Sequence, residues 1–283
     1  MQPPPATART DVETLDELIG RLARHDAVDG VLLLGSTGTA ALTPTSDYDL
    51  LVVLTELAAP LRMVTTWVGG RLTEVYATTA AAIDRIVARS AAWSSASEEG
   101  TVLFWLQTGR VAYDRAGRLG HVRDLARQAP SPAPHERAAY DAWQHLGYDV
   151  AQMGRYLASA DPVSQIAVDL RLQYGLSDVM VAYFTVRGIP WRGEKAAIRY
   201  WQDQDSAFLD RVRACLAEPD RGAKVACYGE LVHWALAPMG GPWPVGTTTV
   251  APGAGYGTGE APPTGTVEGA MGFWRDLVGD GTG

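Results

Sequence analysis

Two short motifs decide the fold of this chain: Gly35–Gly38 (GSTG) and Thr45–Leu54 (TSDYDLLVVL). An apolar run of strand length, Val31–Leu34 (VLLL), precedes the first motif, and the second motif ends in another such run. Successive side chains of a strand point to opposite faces, so Asp47 and Asp49 are expected to lie on one face. The sequence therefore predicts two strands joined by a small-residue turn, with two carboxylates at the start of the second strand.

This pair of carboxylates favours a metal site. Like charges repel unless a cation lies between them, and Mg²⁺ is commonly held by one or two carboxylates together with substrate phosphates. The turn Gly35–Gly38 offers backbone N–H groups and the Ser36 hydroxyl, which suit a phosphate. In the alternative interpretation Asp47 only caps a turn before the strand. That alternative is disfavoured because Asp is depleted in strands and two aspartates facing the same way have no packing use.

The combination of a Gly-Ser turn, a short helix and Asp-x-Asp on the next strand, from Gly35 to Val53, resembles the DNA-polymerase-β-like nucleotidyltransferase superfamily. The resemblance implies transfer of AMP from ATP by a mechanism that uses two Mg²⁺ ions. It assigns Asp47 and Asp49 to the metal ions. It assigns Gly35 and Ser36 to the phosphates of the nucleotide.

The resemblance to the superfamily also implies a third carboxylate on the strand beside the Asp-x-Asp strand. Residues 72–75 (LTEV) resemble the corresponding strand of the streptomycin/spectinomycin adenylyltransferases, which implies that Glu74 is a metal-site residue and the general base. The rival acid nearby is Glu56. The alternative for Glu74 is an exposed strand residue paired with Arg71 or Arg62.

The composition argues against nucleic acid as a partner. The chain has 283 residues, of which 47% are apolar and 20% charged, and its 24 basic and 32 acidic residues give a net charge of −8. A nucleic-acid-binding face needs clustered Lys and Arg, whereas an acidic protein suits cationic small molecules.

No membrane association is expected, because no apolar stretch has the length of a transmembrane helix and Met1–Arg9 lacks the apolar core of a signal peptide. Cys215 and Cys227 form no CxxC pair, which indicates a reducing, cytoplasmic location. The five histidines show no ligand spacing, so no zinc site is expected.

The predicted fold class is α+β, in three parts. Residues 1–129 form a nucleotidyltransferase domain with a mixed sheet and flanking helices. The proline-rich connector Ala129–Pro134 leads into a helical bundle at 136–237, because apolar residues there recur at helical spacing. Residues 238–283 are rich in glycine, proline and threonine and are predicted to be a disordered tail.

Three local predictions accompany this division. Ala59–Val68 is predicted to be helical, a short helix is predicted near Thr39–Leu42, and Thr10 with Glu13 has the pattern of a capping box.

By resemblance, the bundle contributes a wall of the substrate and nucleotide site, and Lys195 at the start of a helix contacts the triphosphate. A solvated lysine is the alternative. Arg171 is a second candidate phosphate contact, for which a surface role is favoured.

The implied acceptor is a hydroxyl of a small molecule, by resemblance an aminoglycoside, so that the activity would confer antibiotic resistance. Two alternatives remain open. One is AMP transfer to a protein, as in toxin–antitoxin nucleotidyltransferases, and the other is a nucleotide-binding regulator without catalysis. Nucleic-acid polymerisation is disfavoured by the acidity of the chain.

Overall fold

The computed structural model describes residues 14–40, 42–93, 97–130, 136–244, 246–252 and 266–278. The chain divides into two compact units, Met1–Ala133 and Pro134–Gly283. The first unit holds a mixed sheet with flanking helices, and the described part of the second is helical apart from its connecting segments. This confirms the predicted α+β fold class.

The first unit is built on a five-stranded sheet with the order β3-β4-β2-β1-β5. Its strands are β1 (Val28–Leu33), β2 (Tyr48–Leu54), β3 (Met63–Val68), β4 (Arg71–Thr79) and β5 (Arg110–Asp114). The pair β2 and β4 is parallel, and the other neighbouring pairs are antiparallel. The two apolar runs of the sequence form β1 and β2, which are central in the sheet and need apolar side chains on both faces.

Helices cover both faces of this sheet. They are α1 (Leu15–Arg24), α2 (Ala80–Ala88), α3 (Glu98–Thr108) and α4 (Arg118–Gln128). Leu50 and Val52 pack on the face that α1 covers, whereas Leu51 and Val53 pack on the face that α2, α3 and α4 cover. Because side chains alternate along a strand, Asp49 lies on the same face as Leu51 and Val53.

The prediction of a helix over Ala59–Val68 is wrong, because Met63–Val68 is strand β3 and pairs antiparallel with β4. The two strands are joined by Gly69 and Gly70, with φ of +56° and +76°. Positive φ at both central residues is what a tight hairpin turn requires, so the Gly-Gly pair was the decisive signal. The β-branched and aromatic residues before it fit a strand.

Two further local predictions concern a helix start and a short helix. The predicted capping box of Thr10 and Glu13 lies outside the described residues. Within them, α1 begins after Thr14, whose hydroxyl accepts a hydrogen bond from the N–H of Glu17 at 3.1 Å. At residues 39–40 and 42, the described part of the range in which a short helix was expected, the chain is not helical, and the preceding glycine motif forms a 3₁₀ turn.

The second unit is helical. Its helices are α5 (Glu136–Leu157), α6 (Pro162–Thr185), α7 (Glu194–Gln204), α8 (Ser206–Ala217), α9 (Arg221–Ala235) and α10 (Val267–Val278). Its core contains the fully buried side chains of Met153, Trp201, Phe208 and Tyr228. Across the described segments, every helix is too short or too polar to cross a bilayer.

The structure departs from the predicted disorder of residues 238–283 in the part that follows α9. The indole N–H of Trp143 donates to the carbonyl of Gly241 at 2.9 Å. The hydroxyl of Tyr140 donates to the carbonyl of Val250, also at 2.9 Å. Because Tyr140 and Trp143 are three residues apart on α5, one face of that helix supplies hydrogen-bond donors to a segment that has little secondary structure of its own.

We refer to residues 241–244 and 246–252 as the strap. The indole N–H of Trp243 in the strap donates to the carbonyl of Gln144 at 3.2 Å. A Cβ atom at Gly147 would lie 2.1 Å from Nε1 of Trp243, so the ring can occupy this position only because residue 147 has no side chain. The strap is thus fixed to α5 by hydrogen bonds and by a fitted aromatic ring.

Candidate active site

The glycine motif forms a 3₁₀ turn, Gly35–Gly38, between β1 and β2. Gly35 has φ of +48°, and a Cβ atom there would lie 3.4 Å from Oδ2 of Asp49. A Cβ atom at Gly38 would lie 2.7 Å from the carbonyl oxygen of Leu33. Glycine is therefore required twice: for a left-handed backbone beside a carboxylate and for a close approach of two backbone segments.

Thr37 ties this turn to the start of β2. Its buried hydroxyl accepts a hydrogen bond from the N–H of Asp49 at 2.9 Å and donates to the carbonyl of Asp47 at 3.4 Å. The backbone of both aspartates is thus anchored to the turn. Thr37 was not singled out in the sequence, since a threonine in a small-residue turn is common.

The register of the sheet brings the three predicted carboxylates to one face. Asp49 on β2 is the Cα partner of Glu74 on the parallel strand β4. Asp47 lies two residues before Asp49, so its side chain is on the same side of the chain. All three residues are half-buried. We refer to Asp47, Asp49 and Glu74 as the carboxylate face.

Arg71 holds the loop that enters β2. Its guanidinium donates to the carbonyls of Thr43 at 2.7 Å and Ser46 at 2.5 Å. The same guanidinium lies over the ring of Tyr48, 5.3 Å from its centroid. These contacts link the first residue of β4 to the residues just before Asp47, and so support the position of the first aspartate relative to Glu74.

The alternative in which Glu74 pairs with Arg71 or Arg62 finds no support in the described contacts. Arg71 is engaged with the loop before β2, and Arg62 forms an ion pair with Glu98 at 2.7 Å. The hydroxyl of Tyr76 instead donates to Oε2 of Glu74 at 2.6 Å. The neutral hydroxyl of Tyr76 thus holds the Glu74 carboxylate in place without neutralising its negative charge.

Tyr76 lies within electrostatic reach of all three acids. Burial raises the pKa of its hydroxyl well above the usual range, and the hydrogen bond to Glu74 and the negative charges of Glu74, Asp49 and Asp47 raise it further. The hydroxyl is therefore protonated and remains a donor near neutral pH. Strand alternation could have indicated Tyr76, because it lies two residues after Glu74 on the same face.

Side chains that share one face of a sheet are not necessarily as close together as the ligands of one metal ion. Among the described residues, one group of three side chains has metal-binding atoms that all lie within 4.8 Å of one another: His145, Asp149 and Asp178, in the helical unit. The carboxylate face does not form a second such group. Its side chains are placed by strand register, with Glu74 turned toward the Tyr76 hydroxyl.

The other two predicted phosphate contacts lie in the helical unit. Lys195 is exposed in the first turn of α7, and its assignment to the triphosphate stays a prediction. Arg171 on α6 donates to the buried carboxylate of Asp149, so this arginine has an internal partner rather than the surface role that was favoured.

The comparisons with known proteins add little to this geometry. No protein-family model and no curated protein matches the sequence. A similar solved structure is that of a nucleotidyltransferase-like protein from Exiguobacterium sibiricum, with 11% sequence identity, coverage of 78% of this chain and 73% of that chain, and a TM-score of 0.37. A likeness this weak carries no argument about activity, and the function proposed below depends on the residues themselves.

Proposed function

We propose that the protein is a nucleotidyltransferase that transfers a nucleoside monophosphate, AMP from ATP, to a hydroxyl group of a small molecule. The observation that carries the proposal is the pairing of Asp49 with Glu74 on parallel strands, next to a turn in which Gly35 approaches the carboxylate of Asp49. This arrangement supports a single site that combines three acids with a small-residue turn. No packing role explains three acids on one face of a sheet.

The donor set of the carboxylate face fits magnesium. Its ligands are carboxylate oxygens, which hard cations prefer, and the glycine at position 35 keeps side-chain atoms away from Asp49. Asp47 and Asp49 would hold two Mg²⁺ ions, with Glu74 beside them. Bound Mg²⁺ supplies neutralisation of the pyrophosphate leaving group and activation of the acceptor oxygen.

The residues of the chain have distinct roles in this proposal. The Ser36 hydroxyl and the backbone at Gly35 bind and orient the phosphates of ATP. Glu74 takes the proton from the acceptor hydroxyl, whose oxygen attacks the α-phosphorus. The new P–O bond forms as the bond from the α-phosphorus to the bridging oxygen breaks, and pyrophosphate leaves with that electron pair. Tyr76 holds the Glu74 carboxylate through the 2.6 Å hydrogen bond.

The acceptor class follows from charge and from the resemblance of residues 72–75. A net charge of −8 favours a cationic acceptor, and an aminoglycoside carries several ammonium groups together with many hydroxyls. On this proposal the protein modifies an aminoglycoside and thereby confers resistance to it.

The test is pyrophosphate release by the purified chain with ATP, Mg²⁺ and a panel of aminoglycosides. Asp47→Asn combined with Asp49→Asn is expected to abolish release, whereas Asp26→Asn, an exposed aspartate before β1, is expected to leave it unchanged. Release that survives the double substitution would overturn the mechanism. A labelled protein band with lysate and radiolabelled ATP would instead indicate a protein acceptor. Tight ATP binding without consumption would indicate a regulator.

A further inference from the structure

Two neighbouring helices of the second unit bring a histidine and two aspartates together, apart from the carboxylate face. His145 and Asp149 are four residues apart on α5 and share one face of it, and Asp178 lies on α6. Nε2 of His145 is 3.1 Å from Oδ2 of Asp178 and 3.5 Å from Oδ2 of Asp149. These three atoms all lie within 4.8 Å of one another.

The carboxylate of Asp149 is buried without full hydrogen bonding. Its side chain is 1% exposed, its Oδ1 accepts from Arg171, and its Oδ2 has no hydrogen-bond partner. An unsatisfied buried carboxylate oxygen is costly, because it has lost water without gaining a donor. The position next to Oδ2 is therefore one where a cation would be stabilised.

A second buried polar atom reaches the same face of α6. The hydroxyl of Tyr228 is fully buried and has no hydrogen-bond partner. It lies 3.0 Å from the position of a Cβ atom at Gly175, which shares a helix face with Arg171 and Asp178. A buried hydroxyl without a partner therefore lies against the stretch of α6 that carries Arg171 and Asp178.

A proton on His145 cannot satisfy both carboxylates. The Nε2 atom carries at most one hydrogen, and the shorter contact directs it toward Asp178. Oδ2 of Asp149 then remains without a donor. A metal ion accepts lone pairs from all three atoms at once. At metal–ligand distances of about 2.1 Å, adjacent ligand atoms are about 3.0 to 3.4 Å apart, which is close to the two shorter separations in this cluster.

We propose that His145, Asp149 and Asp178 bind a divalent transition-metal ion, with Zn²⁺ as the preferred ion. One imidazole nitrogen and two carboxylate oxygens suit zinc better than magnesium, since Mg²⁺ rarely takes nitrogen ligands. Arg171 orients the Asp149 carboxylate from the outer shell through Oδ1. The two carboxylates balance the charge of the divalent ion, and Arg171 adds one positive charge outside the ligand set.

The cluster is accessible from one side. The side chain of His145 is 54% exposed, and it lines a pocket of about 330 Å³ between α5 and the strap, together with Gln144, Tyr148 and Trp243. His145 alone of the three ligands lines this pocket, and a zinc ion with three protein ligands keeps a fourth coordination position for water or for a ligand. The sequence predicted no zinc site because only histidine and cysteine spacing was considered, and Asp178 is 33 residues from His145.

The experiment is a calorimetric titration of Zn²⁺ into the chelator-treated full chain carrying Asp47→Asn and Asp49→Asn. These substitutions remove the two aspartates proposed to hold Mg²⁺ on the carboxylate face, so the result is independent of the proposed transferase activity. One Zn²⁺ ion is expected to bind per chain. His145→Gln and Asp178→Asn are expected to weaken binding by at least about 100-fold, the upper end of what loss of an outer-shell partner costs. Co²⁺ is expected to give visible d–d absorption without a thiolate band from the buried cysteines.

Asp141→Asn is the matched control, because Asp141 lies one turn before His145 on α5 and lines the same pocket. Its Zn²⁺ affinity is expected to equal that of the parent chain. No Zn²⁺ binding by the parent chain, or equal binding by the His145→Gln and Asp178→Asn chains, would overturn the proposal. Circular dichroism of each variant checks that it is folded. Asp149 is left intact because its removal would strand Arg171 without its partner.

Discussion

The hydroxyl of Tyr76 donates a hydrogen bond to Oε2 of Glu74, and both side chains are on one face of β4, two residues apart. The ring of Tyr76 is held in turn against Trp105, with centroids 4.7 Å apart. The side chain of a glutamate on a strand can rotate about several bonds, and the hydrogen bond from Tyr76 restricts this rotation for Glu74. Tyr76 is therefore a positioning residue for the proposed base.

Tyr76→Phe is expected to lower kcat by about 10-fold or more with little change in KM for ATP. The substitution keeps the ring packing but removes a hydrogen bond to a charged group, which contributes about 1.5 to 3 kcal/mol. Steady-state pyrophosphate release checks this, with Tyr113→Phe on β5 as the control. An unchanged kcat would show that Glu74 does not depend on this contact.

Glu74→Gln is expected to lower kcat by about 10² to 10⁴-fold, because a general base is replaced by a group that cannot accept the proton. Glu56→Gln is the control, since Glu56 was the rival acid and is exposed after β2. Both variants are assayed for pyrophosphate release. The assignment of the base would be wrong if Glu56→Gln lost activity and Glu74→Gln kept it.

Gly35→Ala is expected to impair both stability and activity. Alanine in a left-handed conformation costs about 1 to 2 kcal/mol, and the added Cβ atom would lie 3.4 Å from Oδ2 of Asp49, within the proposed metal and phosphate site. Gly70→Ala in the β3–β4 turn, at φ of +76° with nothing within 4 Å, carries a similar backbone cost away from the acids. Urea unfolding is expected to show comparable losses for both. Only Gly35→Ala is expected to lose pyrophosphate release.

Gly147→Ala is expected to destabilise the second unit by about 1 to 3 kcal/mol, because its Cβ atom would lie 2.1 Å from Nε1 of Trp243 and force the strap away from α5. Gly154→Ala, on the same helix with nothing within 4 Å, is expected to stabilise it by about 0.5 to 1 kcal/mol. Urea unfolding followed by tryptophan fluorescence measures both. Equal effects of the two substitutions would contradict the docking of Trp243.

The two cysteines are expected to resist thiol reagents in the native protein. Both are buried free thiols, and burial raises the pKa of Cys215 to about 12. A raised pKa means that the thiolate of Cys215 is scarce at mildly alkaline pH. Burial also keeps both thiols from the reagent, so Ellman's reagent is expected to label neither cysteine until guanidinium unfolds the chain. Rapid labelling of the native chain would show that the buried surroundings of Cys215 open readily.

The sequence was sufficient for the features that depend on local pattern. The apolar runs around Gly35 indicated β1 and β2, and strand alternation placed Asp47 and Asp49 on one face. The position of Glu74 beside Asp49 could be predicted only with the family resemblance, because strand pairing joins residues that are far apart in the chain. Strand β3 was missed because a short amphipathic run can be assigned to a helix or a strand, and Gly69 and Gly70 fit the end of a helix as well as a hairpin turn.

The remaining features depend on residues far apart in the chain. The hydrogen bond from Trp143 to Gly241 joins residues that are 98 positions apart. Judged by composition alone, the strap resembles a disordered segment. The cluster at His145 similarly needs two helices to pack in one particular register. Tyr76 lay within reach of local reasoning, but tyrosine is so common in strands that nothing distinguished it from a packing residue.

The parallel pairing of β2 with β4 restricts how this chain can change in length. Gain or loss of a single residue inside β4 ahead of Glu74 would turn that side chain to the opposite side of the sheet. The segment between β2 and β3 carries no such restriction, because its length does not alter the alternation within either strand. Length variation compatible with the proposed chemistry is therefore expected in the β2–β3 connection and excluded from the first half of β4.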